Sequence, residues 1–84
     1  MVTLLYFASL RERVDCAREE VALPPGTPTV ATIVETLRAR DGRWSEAFAP
    51  GLAWRVAVNQ SMADLATPLK PGDEVAFFPP VTGG

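Results

Sequence analysis

Apolar positions fall in two kinds of run along this chain, and the kind of run assigns the elements. Residues 2 to 8 are β-branched, aromatic and aliphatic over a length too short for a typical helix and right for a strand. Ser9 to Val14 reads as a short helical turn, and Ala17 to Leu23 returns as a second strand stopped by Pro24-Pro25-Gly26. The two strands are arranged to pair antiparallel. The period then changes. Val30, Ile33, Val34 and Leu37 fall at i, i+3, i+4 and i+7, the apolar stripe of a helix, with Thr29 as its N-cap. Arg38 and Arg40 suit the negative end of the helix dipole, and Asp41-Gly42 is expected to stop the helix.

Trp44 to Phe48 adds a short helical piece before Pro50-Gly51, and from Trp54 to Val58 large apolar residues alternate with Arg55 and Ala57, a third strand. Asn59-Gln60-Ser61 reads as a turn and the stretch through Pro68 as irregular. Lys70-Pro71-Gly72-Asp73 has Pro and Gly at the central positions of a type II turn, and Glu74 to Phe78 is the last strand. Strand, strand, helix, strand, strand in one small domain predicts an α+β sheet with one main helix packed on one face.

Side chains alternate across a strand, so the polar residues say which face looks outward. Thr3 marks the outer face of the first strand and puts Leu5 and Phe7 there, leaving Val2, Leu4 and Tyr6 toward the helix. In the last strand Glu74, Ala76 and Phe78 are expected outward and Val75 and Phe77 inward; in the third, Arg55 and Ala57 face out. If the first and last strands are neighbours, Phe7 and Phe78 form an apolar patch beside the chain's exit from the fold. Strand parity equally allows a sheet covered on both faces, with both rings in its core.

Composition narrows the chemistry. With 84 residues and 48% hydrophobic content the chain is one globular domain with a core of its own. No apolar stretch approaches the roughly 20 residues that cross a bilayer, which leads us to expect a cytoplasmic protein and no membrane partner. The net charge of −2, with arginines scattered among acids, offers no basic stripe for nucleic acid. There is no His, which removes the commonest general base and zinc ligand, and Cys16 stands alone, with no metal site around it. No catalytic site of the chain's own is expected.

The tail points elsewhere. Residues 1–78 are assigned to the domain and 79–84 to an extended tail, Pro79-Pro80-Val81-Thr82-Gly83-Gly84. Two prolines favour a polyproline-like exit, whose six residues at about 3.1 Å each reach roughly 19 Å. Glycines lose the most freedom on ordering, so two at the tip need a reason. A chain end without side chains passes a narrow channel and leaves its terminal carbonyl open to attack from either side. Alone, the dipeptide is equally an ordinary frayed terminus.

Gly72-Asp73-Glu74-Val75-Ala76-Phe77-Phe78-Pro79-Pro80-Val81-Thr82-Gly83-Gly84, however, closely resembles the C-terminal signature of the small subunits of molybdopterin synthase, ubiquitin-like sulfur carriers of molybdenum cofactor biosynthesis. Residues 2 to 8 with Leu10-Arg11-Glu12, and Ala57-Val58-Asn59-Gln60, also resemble that family's first strand and third-strand turn. The resemblance implies a β-grasp fold. It also implies that an activating enzyme uses ATP to adenylate the Gly84 carboxyl, after which sulfur from a donor protein displaces AMP to leave a thiocarboxylate. An α-carboxylate, with a pKa near about 3.5, is ionised at neutral pH and a poor electrophile, so activation must come first. By the same resemblance the tail inserts into the large synthase subunit, in a 2:2 assembly, and donates sulfur for the dithiolene, two carriers per precursor. Phe7, Arg11, Met62 and Phe78 then lie in or near the subunit interface. The alternatives are a sulfur carrier of thiazole synthesis, a ubiquitin-like protein modifier, and an interaction module whose tail has no chemistry.

Overall fold

In a computed structural model, described over residues 1–51 and 53–79, the first apolar run obeys strand parity from Val2 to Phe7, whereas Ala8 leaves the strand and opens a helix. Val2, Leu4 and Tyr6 of β1 (Val2–Tyr6) are buried, whereas Thr3 and Leu5 are half-buried on the opposite face. The chain turns at Ala8, whose φ of 51° is left-handed, into α1 (Ala8–Val14), which sends Leu10 and Val14 into the core. It returns as β2 (Arg18–Val21), antiparallel to β1 and shorter than the run from Ala17 to Leu23 suggested.

The main helix is α2 (Val30–Arg38), with its stripe of Val30, Ile33, Val34 and Leu37 buried. Its N-terminal N–H groups lack partners within the helix and find them in two places. The Thr29 N–H donates to Thr32 Oγ1 at 3.0 Å, and the N–H groups of Val30 and Ala31 donate to the carbonyls of Thr67 and Leu65, both at 3.0 Å. The irregular stretch before Pro68 therefore caps the helix. The expected stop at Asp41-Gly42 is corrected: α2 ends at Arg38 with Ala39 as its C-cap, and Asp41 is instead the N-cap of α3 (Gly42–Ala47). A short Asp-Gly after a helix reads the same whether it closes that helix or opens the next.

β3 (Arg55–Val58) turns through Asn59 and Gln60, both at positive φ (51° and 70°), into β4 (Ser61–Ala63). A two-residue turn with two left-handed residues is the hairpin connection that matches strand twist. β4 corrects the reading of Ser61 onward as turn and irregular chain: its three residues are too few for alternation to register, and only hairpin pairing with β3 defines it. β5 (Glu74–Phe78) completes a five-stranded mixed sheet ordered β2-β1-β5-β3-β4, with β1 and β5 parallel at its centre. A mixed sheet with its main helix on one face is the α+β, β-grasp architecture.

One core joins the sheet's inner face to the helices. Tyr6 and Phe77, cross-strand partners, stack at 5.8 Å, and Phe48 meets Phe77 edge-on at 5.1 Å. Each such ring contributes about 1.5–3 kcal/mol by leaving water. Two polar links tie distant segments. Tyr6 donates its hydroxyl to Glu19 at 2.8 Å, and Arg40 grips Glu19 with two bonds of 2.9 and 3.0 Å while lying 4.4 Å over the Trp44 ring. Burial pushes the Glu19 carboxyl up, but the hydrogen bonds from Arg40 and Tyr6 outweigh it and hold the group below the usual range; burial and Glu19 push the Tyr6 phenol well above its own. At the other end, Lys70 to Asp73 form the expected turn, Gly72 at φ 90° and the Asp73 N–H donating to the Lys70 carbonyl at 3.1 Å. The buried Asp73 carboxylate accepts from Asn59 Nδ2 and from the Lys70 N–H, both at 2.9 Å. The bonds from Asn59 and then Lys70 hold it below the usual carboxylate range. No helix among the described residues is long and apolar enough to cross a membrane.

Candidate functional site

The parallel pairing of β1 with β5 builds the site. Thr3 to Tyr6 lie opposite Glu74 to Phe77, and the Phe7 N–H extends the ladder by donating to the Phe77 carbonyl at 3.1 Å. One register thus makes two aromatic pairs on opposite faces: Tyr6 on Phe77 within the core, and Phe7 on Phe78 outside it. The outer rings stack with centroids 4.9 Å apart and planes 8° from parallel, and Phe7 remains 39% exposed. The two-faced-core alternative for Phe7 is therefore excluded among the described residues.

Beside the pair the outer face opens into a groove of about 500 Å³ that includes Leu5, Ala57, Met62 and Ala76. Met62, 66% exposed, stands opposite Ala57 across the β3–β4 hairpin. Phe7, Met62 and Phe78, taken from the sequence as interface residues, thus share one surface. Arg11 is exposed on α1, one turn beyond Phe7, whose carbonyl accepts its N–H at 3.4 Å, and does not line the groove. Ala57 and Ala76 take the outward orientation that parity assigns them. At 5% and 7% exposure they are nevertheless buried, because short side chains are shaded by their taller neighbours. Large-small-small-large at outward positions of neighbouring strands is the signal for such a hollow, and it becomes readable only once the register is known.

Pro79, half-buried, lines a smaller pocket with Leu10, Arg13, Ala47 and Trp54, which seats the root of the tail between α1, α3 and the sheet. The tail residues Pro80, Val81, Thr82, Gly83 and Gly84 lie outside the described residues. The Cys16 thiol is half-buried and donates weakly to the Arg18 carbonyl at 3.6 Å; burial, then Glu19, pushes it up and away from the reactive thiolate. Among the described residues no three His, Cys, Asp or Glu side chains gather as a metal site.

The sequence profile of the ThiS family matches residues 4–84, the domain and the Gly-Gly terminus together. This chain belongs to the ThiS family. Similar proteins include the molybdopterin synthase sulfur carrier subunit of Escherichia coli, 44% identical over the whole of both chains. The subunit of the same name from Mycobacterium tuberculosis is 42% identical, over 99% of this chain and 96% of that one. Among solved structures, the Haloferax volcanii small archaeal modifier protein 1 superposes with a TM-score of 0.75 at 25% identity, over 95% of this chain and 97% of that one. The β-grasp assignment and the resemblance drawn from the tail agree with these findings.

Proposed function

We infer that this ThiS-family chain is the sulfur carrier subunit of molybdopterin synthase, with Gly84 as the terminus that is adenylated and then carries the sulfur. The observation that carries the reading is full-length 44% identity to a protein of that name, joined to an exposed Phe7–Phe78 stack at the root of a Gly-Gly tail. An activating enzyme couples the Gly84 carboxylate to AMP from ATP, releasing pyrophosphate; sulfur from a donor protein then displaces AMP. The thiocarboxylate enters the large subunit, which supplies the catalytic groups, and the carrier supplies none. The outer sheet face docks while Pro79 to Gly83 lead the terminus inward, in a 2:2 assembly. Pre-set proline φ angles reduce the entropy lost when the tail is ordered.

The test is intact mass after incubation with ATP, the activating enzyme and a sulfur source. A gain of about 16 Da on the Gly84 peptide is what exchange of one carboxyl oxygen for sulfur requires. An unchanged mass refutes the carrier reading. The likeness to a modifier protein favours one second reading, conjugation of the same terminus to lysines. It predicts isopeptide adducts in cell extract in place of the 16 Da gain.

A further inference from the structure

The hollow on the outer face has a construction that the Phe7–Phe78 pair does not explain. Register sets Leu5 beside Ala76, Ala76 beside Ala57, and Ala57 beside Met62, so one row across four strands reads large, small, small, large. At about 4.8 Å between strands, the tall residues stand roughly 14 Å apart over a floor of two methyl groups. The stacked Phe7 and Phe78 wall the end nearest the tail, and Glu74 and Gln60 the far end. The floor is already shielded by its neighbours, so what the hollow lacks is a side chain to fill it.

We propose that this socket receives one bulky apolar side chain from the protein that takes the tail, and that the smallness of Ala57 and Ala76 selects that partner. The occupant is argued from position and charge, and rests on the carrier reading above. Phe78, in the socket wall, is followed by Pro79 and five more residues, six in all, which at about 3.1 Å each span roughly 19 Å. A protein that grips Gly84 therefore sits close to this face. The face is also polar end to end. Arg18 and Arg55, beside Leu5 and Phe78 respectively, mark the tail end; Glu20 and Glu74, on either side of Thr3, mark the other. The partner's apolar knob is thus flanked by acidic groups toward the tail's entrance and basic groups away from it, an arrangement that fixes register and speeds encounter.

The experiment is titration calorimetry of the full-length carrier with the large subunit of molybdopterin synthase, using Ala76→Leu and the milder Ala57→Val, with Ala39→Leu, at the exposed end of α2 on the other side of the sheet, as an equally enlarged control. Filling a socket at the centre of an interface removes the pocket its anchor needs. The expected result is binding weakened by about tenfold or more for the socket variants, with melting temperature preserved and Ala39→Leu within about threefold of the parent. Parental affinity in both socket variants overturns the proposal while leaving the carrier reading intact; a parent that does not bind the large subunit at all refutes the carrier reading itself. A parent that sediments as a dimer, made monomeric by Ala76→Leu, assigns the socket to a second copy and overturns the proposal.

Discussion

Replacing Asn59 by Ala is expected to unfasten the end of the sheet opposite the tail. Asn59 makes three contributions. Its amide donates to the buried Asp73 carboxylate at 2.9 Å, its side-chain carbonyl accepts the Glu74 N–H at 3.0 Å, and its backbone holds a φ of 51° that asparagine tolerates better than alanine. A hydrogen bond to a charged group is worth about 1.5–3 kcal/mol, an ordinary one about 1, and left-handed strain on alanine about 1 more. The expected loss is therefore about 3–5 kcal/mol, a large share of the roughly 4–13 kcal/mol typical of a domain this size. At about 4–8 °C per kcal/mol the melting temperature falls by at least about 12 °C. Urea unfolding of the parent, Asn59→Ala and Asn59→Gly apportions the loss, because glycine removes both bonds without the strain and should recover about 1 kcal/mol. The pH dependence gives a second check. The Asp73 carboxyl lies below its ordinary value, chiefly because of the Asn59 bond, so its stabilisation is present above the unfolded pKa of about 3.9 and is lost as pH falls through and below it. The gap between parent and Asn59→Ala should accordingly be wider at pH 7 than at pH 3. A loss under about 1 kcal/mol, or an equal gap at both pH values, would refute the reasoning.

At the neighbouring position, Gln60→Gly should raise stability by about 1 kcal/mol in the same urea assay, since Gln60 holds φ at 70° where glycine is unstrained. Phe78→Ala should weaken binding to the large subunit by at least about tenfold, and a double-mutant cycle with Phe7→Ala in the free protein should return about 0.5–1.5 kcal/mol of coupling from their stack. Adding one residue after Gly84 should abolish sulfur transfer in a reconstituted assay while the circular dichroism spectrum stays that of the parent. Cys16→Ser should leave transfer at the parental rate, because the thiol is half-buried and bonded to a backbone carbonyl, away from the groove. Loss of transfer in that variant would place the thiol in the sulfur path.

What the chain determines locally is legible without its fold. Alternation in residues 2 to 6 and 74 to 78 assigns inner and outer faces correctly because a strand's period of two is set by backbone geometry alone. The stripe of α2 and the turn at Gly72 are similarly local, and the Gly-Gly terminus is read from covalent sequence. Three features required tertiary structure. β1 and β5 are some 70 residues apart in sequence, and only their parallel pairing stacks Phe7 on Phe78 and brings Ala57 and Ala76 into one hollow. β4 has too few residues to carry a period and exists through pairing with β3. Arg40, expected to serve a helix end, is held instead by Glu19 from β2 and by the Trp44 ring. In each case the deciding interaction joins residues distant along the chain. Local periodicity says which way a side chain points, whereas only the register of long-range pairing says what it meets.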